Sequence, residues 1–348
     1  MDKQRVLFVL KFREGYDGKS VYSYGHYFSS GLYWSAKFVV DMLCQSGVEA
    51  KLVQVVDNNQ IDKEVHDFKP TIVVIEALWV VPEKFDILKQ LHPHVKWVVR
   101  LHSNIPFLAN EGVAVRWVKE YAARGVKIAV NQKRAYEDFE TILGGNKDLL
   151  YLPNYYPVRK KTVRTEDSDI LHVGCYGAVR PLKNQLIQAV AAIRYADSQN
   201  LVCHFHINGT RVEQGGEAIL DNLRALFDGT VHSLIEDRWM NHEEFLCKLR
   251  RMDLGMQVSL SETFSIVAAD MTSVGLPIVV SPEIEWAGWL STVNASNVDK
   301  ITEGIKDALR FKDIIVFVNR GNLKRYAKKS KEIWLDVLKY LDRHENRR

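Results

Sequence analysis

The sequence predicts an α/β protein of two doubly wound domains, each an open parallel sheet with helices on both faces. Three observations carry this expectation. Short apolar, β-branched runs alternate with helical patterns along most of the chain. The 348 residues exceed what one hydrophobic core usually serves. A proline-bearing, highly charged stretch interrupts the alternation near the middle, as an interdomain linker does.

The first half reads as strands over 6–10, 50–56, 71–78, 97–101 and 126–130. Helical patterns fall over 32–44, 82–91, 113–123 and 135–143. Near-continuous apolar strands separated by helices belong to a parallel sheet buried on both faces. Gly47 is placed to stop the first helix, since a residue just past a helix end often needs positive φ. The linker begins at Tyr151-Leu-Pro-Asn-Tyr-Tyr-Pro157 and runs through the charged segment that follows. The alternation then restarts, with strands over 171–176, 202–207, 254–258 and 278–280 and helices over 184–195 and 216–227. Asn241-His-Glu-Glu244 has the spacing of a capping box and opens a further helix. A last helix is expected from about 321 to 341, its apolar residues on one stripe and its other face basic. The expected domains are 1–157, joined by the returning helix 321–348, and 158–320.

Composition narrows the function classes. A hydrophobic fraction of 47%, a charged fraction of 26% and a net charge of +4 are ordinary for a globular protein and do not by themselves call for nucleic acid. The N-terminus enters a core-like strand with no secretory pattern ahead of it. The longest apolar run, 71–81, is too short to span a bilayer and contains Glu76. Cys44, Cys175, Cys203 and Cys247 are scattered and form no Cys-x-x-Cys, so neither a zinc site nor a disulfide framework is indicated and a cytoplasmic setting is expected. Asp167-Ser-Asp169 lies in the charged linker and reads as a solvated loop, so no metal is expected.

Four places could carry chemistry. Gly177-Ala-Val-Arg180-Pro-Leu-Lys183-Asn184 follows a strand and opens a helix. Two cations beside a helix N-terminus suit an anion such as a diphosphate, and a solvated basic turn is the competing reading. Glu262 and Asp270 are read at the two ends of a short, largely buried helix, roughly 12 Å apart along its axis. Each carboxylate could accept hydrogen bonds from a vicinal diol of a ribose or hexose. His102 ends an apolar strand, where an imidazole could meet a sugar hydroxyl or move a proton, although a lone histidine is more often structural. Between the first strand and first helix, glycines stand among Tyr16, Tyr22, Tyr24 and Tyr27, which offer faces and hydroxyls to an acceptor. This loop matches neither the P-loop nor the Gly-x-Gly-x-x-Gly pattern.

Taken in order, these motifs resemble those of the GT-B glycosyltransferases, in particular the retaining family 4 group. Glu262-Thr-Phe-Ser through Asp270, followed by Gly275-Leu-Pro277-Ile-Val, is similar to that group's E-x7-E element and its G-x-P-V/I-V sequel. Leu152-Pro-Asn154 resembles the I-P-N entry to its linker. Asp270 departs from the family's glutamate by one methylene, and Arg180 stands closer to Lys183 than in the common pattern. The resemblance implies two Rossmann-like domains whose parallel sheets face each other across a cleft, with the C-terminal helix crossing back to the first. It implies sugar transfer with retention from a nucleoside-diphosphate sugar, a UDP-sugar being expected, to a hydroxyl acceptor. The implied route is a front-face one that needs no bound metal or cofactor.

In that scheme Arg180 and Lys183 bind the diphosphate, Glu262 and His102 the sugar and Asp270 the ribose. Gly31, Gly177, Thr263, Phe264 and Ser265 complete the donor site. Some GT-B enzymes modify hydroxymethylated bases in DNA. Arg159-Lys-Lys161, Arg164 and the basic helix residues Lys324, Arg325, Lys328, Lys329 and Lys331 are compatible with that acceptor. They are equally compatible with solvated surface or peripheral contact with an anionic membrane. A nucleotide-sugar epimerase, a GT-B-like phosphorylase and a non-catalytic sugar- or nucleic-acid-binding module are the alternatives of other classes.

Overall fold

The structure is a computed structural model that describes residues 4–12, 31–145, 149–159 and 169–343. Its chain forms two compact units. One comprises the residues up to Pro157 from Leu32, the first strand, and the end of the chain from Tyr326; the other comprises Val158–Arg325.

The first unit is a six-stranded sheet in the order β2-β1-β3-β4-β5-β6, every pairing parallel. Its elements are β1 (Arg5–Lys11), α1 (Gly31–Gln45), β2 (Glu49–Val55), α2 (Gln60–Phe68), β3 (Ile72–Glu76), α3 (Lys84–Leu91), β4 (Lys96–Leu101), α4 (Ile105–Leu108), α5 (Ala114–Ala123), β5 (Lys127–Val130), α6 (Lys133–Ile142) and β6 (Leu149–Tyr151). Strand order reverses between β1 and β3. β3 is buried along its whole length, Glu76 included, which is why a charge in this strand needs a partner within the protein. Gly47 holds φ +83 after α1, as its placement predicts.

The second unit is a five-stranded parallel sheet in the order β11-β10-β7-β8-β9. It is built from β7 (Ile170–Gly174), α7 (Gln185–Ser198), β8 (Val202–Ile207), α8 (Glu217–Phe227), β9 (Ser233–Glu236), α9 (His242–Leu249), β10 (Leu254–Gln257), α10 (Ile266–Val274), β11 (Ile278–Val280) and α11 (Val298–Arg310). Here the order reverses between β7 and β10. Ligands of open α/β sheets bind beyond the strand carboxyl ends at such a point. The capping box at Asn241 is present: its side chain accepts from the Glu244 amide at 2.9 Å, and Glu244 returns a bond to the Asn241 amide.

The last helix, α12 (Lys312–Arg343), begins nine residues before the expected start near 321, because its first turns pack inward through Ile315, Val316 and Asn319. Its C-terminal part belongs to the first unit, where Trp334, Leu338 and Leu341 join Val6, Phe8, Val39 and Val74 in one core. The Trp334 indole donates to the Pro153 carbonyl at 2.7 Å. α2, α4, β6, β9 and α11 are absent from the sequence expectation.

Candidate functional site

At the reversal point of the second unit, β7 and β10 send their following loops apart, and those loops carry the predicted cations and carboxylate. After β7 the chain turns at Gly177, where φ is +115 and a side chain would be strained, and its amide donates to Asn208 Oδ1 at 3.0 Å. Arg180 follows in extended backbone. Pro181–Lys183 make a single 3-10 turn, and Asn184 adopts a left-handed conformation (φ 60, ψ 31) before α7 begins.

Buried amides staple this loop. Gln188 Nε2 donates to the Lys183 carbonyl at 2.8 Å, and Gln185 Nε2 donates to the Ala178 carbonyl at 2.9 Å. Asn184 Nδ2 bridges the carbonyls of Val258 and Ala295. Both glutamines are almost wholly buried, so their polar ends are committed to holding backbone.

The loop so held presents Lys183 to Glu262, and the two form an ion pair. Gln257, the last residue of β10, lies behind them. Its Oε1 is 3.4 Å from both Lys183 Nζ and Ser265 Oγ, and its Nε2 donates to the Tyr176 carbonyl at 2.8 Å. Arg180 lies 3.6 Å from Glu213, which Arg211 also binds at 2.8 Å. Among the described residues, the cations Arg180, Lys183 and Arg211 thus gather with the carboxylates Glu213 and Glu262. The side chains of Arg180, Lys183 and Glu262 are 17%, 10% and 13% exposed, so each retains a route to solvent. Burial alone would raise the Glu262 pKa. Lys183 and Arg180 outweigh it and hold the carboxyl below its usual range, ionised.

Two expectations for the Glu262 segment need correction. Glu262 and Asp270 are not at the ends of one helix. α10 begins only at Ile266, so Glu262 lies in the preceding loop and Asp270 in the second turn. The cause is Ser265, which holds φ +58 and caps α10 by accepting from the Ala268 amide at 3.2 Å. Phe264 does not offer its ring to a ligand: it is buried against Trp286, ring centroids 6.0 Å apart, and its carbonyl accepts from that indole at 2.8 Å. Thr263 donates its amide to Glu262 Oε1 at 3.1 Å. Asp270 is buried, and its Oδ1 is 2.7 Å from His242 Nε2. Gly31 is the first residue of α1. Tyr16, Tyr22, Tyr24 and Tyr27 lie outside the described residues, as do Lys160, Lys161, Arg164 and Asp167. Arg159 is engaged with Glu243 at 2.6 Å.

In the first unit, His102 belongs to a buried network that the sequence reading did not assemble. Glu76 ends β3, and Arg100 lies directly opposite it on β4. Arg100 Nη1 donates to both Glu76 oxygens at 3.2 Å, its Nε donates to the Leu152 carbonyl at 3.0 Å, and Nη2 reaches Asn154 Oδ1. His102 Nε2 contacts Glu76, and Asn131 Nδ2 is 3.5 Å from its Nδ1. Burial and Arg100 push the His102 pKa down against the pull of Glu76, which favours the neutral ring with Nε2–H donating. Burial pushes Glu76 up, but Arg100 and His102 outweigh it and keep it ionised.

One signal could have found these residues: a lone charge in each of two adjacent apolar strands needs the other. Among the described residues six non-glycine positions hold positive φ; Ala77, Asn184 and Ser265 stand next to or near Glu76, Lys183 or Glu262, whereas Lys69, Asn200 and Gln214 do not.

The paired parallel sheets, with this strand order, have the GT-B fold. No family model matches the chain, and no curated protein matches it by sequence. Solved structures do share its fold. The OtsA apo structure superposes with a TM-score of 0.71 at 10% identity, covering 97% of this chain and 99% of that one. The E. coli trehalose-6-phosphate protein bound with UDP-2-fluoro glucose gives 0.67 at 10% identity, covering 96% and 99%. Anabaena HepE in complex with UDP gives 0.62 at 11% identity, covering 97% and 100%. Among the described residues no helix is long and apolar enough to cross a membrane.

Proposed function

We propose that this protein is a glycosyltransferase that moves a hexose or pentose from a nucleoside-diphosphate sugar, a UDP-sugar first among them, to a hydroxyl acceptor with retained anomeric configuration. The observation that carries the reading is the Lys183–Glu262 pair beside Arg180, at the strand-order reversal of the second unit. Two of the similar folds were solved with UDP or a UDP-sugar analogue.

The residues divide the work by charge. Lys183 and Arg180 take the diphosphate, Lys183 as a point charge and Arg180 through its forked donors. Glu262, ionised, accepts from sugar hydroxyls. Lys183 and Glu262 pair with each other, which keeps both groups placed and avoids an uncompensated buried charge. Donor binding exchanges that pair for phosphate on one side and hydroxyls on the other. Asp270, in the second turn of α10, is assigned to the ribose; because it is buried against His242, that pair has to open for a ribose diol to reach it. In the first unit, His102 offers a polar ring edge to a hydroxyl, with Glu76 fixing its tautomer.

In the front-face route, the bond from the anomeric carbon to the diphosphate oxygen breaks as the acceptor oxygen bonds to that carbon on the same face. The acceptor proton passes to the departing phosphate oxygen. Negative charge grows on the diphosphate, where Lys183 and Arg180 stabilise it by roughly 3–4 kcal/mol per well-placed donor. Because two side-chain cations supply the counter-charge, no metal is required. A transferase often hydrolyses its donor slowly without acceptor. Incubation with a panel of nucleotide sugars, in the presence and absence of EDTA, should therefore release nucleoside diphosphate in both. Release from no donor contradicts the proposal and favours a non-catalytic binding module.

A further inference from the structure

We propose that the second unit carries a docking face for an anionic lipid surface, formed by the outer side of α12 and the turn at Trp289. α12 has two dissimilar sides in its first three turns. Ile315, Val316, Asn319 and Leu323 face inward and are buried. Phe311 just before the helix, then Ile314 and Phe317, face outward, and Phe317 is 79% exposed. The outer side is thus more aromatic than packing of the unit requires.

A second element brings the largest exposed side chain to the same place. The short turn Trp289–Ser291 is pinned to α12: the Gly288 amide donates to Asn319 Oδ1 at 2.7 Å, and Asn319 Nδ2 donates to Ser291 Oγ at 2.6 Å. Gly288 lies so close to Val318 that a Cβ there would stand 2.8 Å from its Cγ1. This contact sets Trp289, 81% exposed, beside the Ile314–Val318 turn. Phe311, Ile314 and Phe317 on the outer side of α12, with Trp289 on a turn held against the same helix, are more than singly scattered surface hydrophobics.

Charge identifies the occupant. In the same segments Lys306, Arg310, Lys312, Lys324 and Arg325 are exposed, against the exposed Glu285, Asp307 and Asp313 and the half-buried Glu283, with Lys300 and Glu303 paired to each other, so that a positive excess remains. The Arg310 guanidinium lies 5.1 Å from the Phe311 ring centre, so a cation and an aromatic ring present themselves together. Tryptophan and phenylalanine that enter a headgroup layer, ringed by lysine and arginine, are the pattern of interfacial binding to anionic lipid. A second copy of the same face would set cations against cations. A nucleic acid would use the cations but gives Ile314 and Phe317 nothing to enter.

The test is flotation of the full chain with vesicles, needs no sugar donor, and so is independent of the proposed transferase activity. Vesicles of phosphatidylcholine with phosphatidylserine should carry the protein at low salt, and phosphatidylcholine alone should not. Trp289→Ser with Phe317→Ser, and separately Lys324→Glu with Arg325→Glu, should each weaken binding at least about tenfold while circular dichroism stays unchanged. Vesicle binding that neither pair alters, or no binding to anionic vesicles, overturns the proposal. Self-association abolished by Trp289→Ser would assign the face to a second copy. DNA retention lost with Lys324→Glu and Arg325→Glu but kept with Trp289→Ser and Phe317→Ser, without vesicle binding, would assign it to nucleic acid.

Discussion

Lys183 and Glu262, 79 residues apart in the chain, form an ion pair where the β7 and β10 loops diverge. Neither group is fully exposed, and each restrains the other. Removing one partner strands a largely buried charge, which typically costs about 3–5 kcal/mol. Lys183→Ala and Glu262→Ala should therefore each lower thermal stability as well as reduce donor turnover by at least about tenfold. Calorimetry and donor hydrolysis on the same samples check both. Wild-type turnover in either variant contradicts the site assignment.

The pair also sets a pH dependence. The folded Glu262 pKa is depressed, so its contribution to stability is present above the unfolded value, about 4.3, and is lost as pH falls through the folded value. In Lys183→Ala the main cause of that depression is gone and burial raises the carboxyl instead. The variant's acid transition should move to higher pH than wild type, as read by unfolding across an acid series.

The Glu76–His102 pair gives a second, separable pH signature. Burial holds the folded His102 pKa below its usual value of 6.5, so this contribution is present above about 6.5 and is lost as pH falls toward the folded value. His102→Gln should flatten the stability profile just below about pH 6.5 and leave the profile in the carboxylate range, set by Glu76 and other carboxylates, in place. An unchanged slope in that window contradicts the neutral buried imidazole.

Ser265 separates strain from capping. Its φ of 58 is costly for a residue with a Cβ, by roughly 1–2 kcal/mol, while its hydroxyl caps α10. Ser265→Ala keeps the strain and loses the cap. Ser265→Gly loses the same bond but relieves the backbone, so it should be the more stable of the two by about 1–2 kcal/mol in denaturant unfolding. Equal stabilities would show that the backbone at 265 is not strained.

What the sequence made legible follows from where information is local. Strand and helix alternation, the Asn241 capping box and the Gly47 stop depend on neighbours in the chain, and each appears in the structure. The order of motifs pointed to the GT-B fold. Loops that the fold pulls into unusual backbone were not legible. Glu262 reads as helical because Phe264, Ile266 and Val267 continue an apolar pattern, yet Ser265 delays the helix to Ile266. Partners from distant segments were hidden for the same reason. Gln257, Glu213 and His242 look unremarkable in their own segments, and only the sheet order brings them to Lys183, Arg180 and Asp270. β9, four residues with no fully buried position, lacks the apolar run that marks the other strands.

The most direct test of the central claim is a thermal-shift titration of wild type, Lys183→Ala and Glu262→Ala with a panel of nucleoside-diphosphate sugars. A donor present at one hundred times its dissociation constant adds about 2.7 kcal/mol. At least one UDP-sugar should stabilise wild type by that order, and the same concentration should leave both variants little changed. No stabilisation of wild type by any nucleotide sugar, or equal stabilisation of all three proteins, would contradict a donor site built on Lys183 and Glu262.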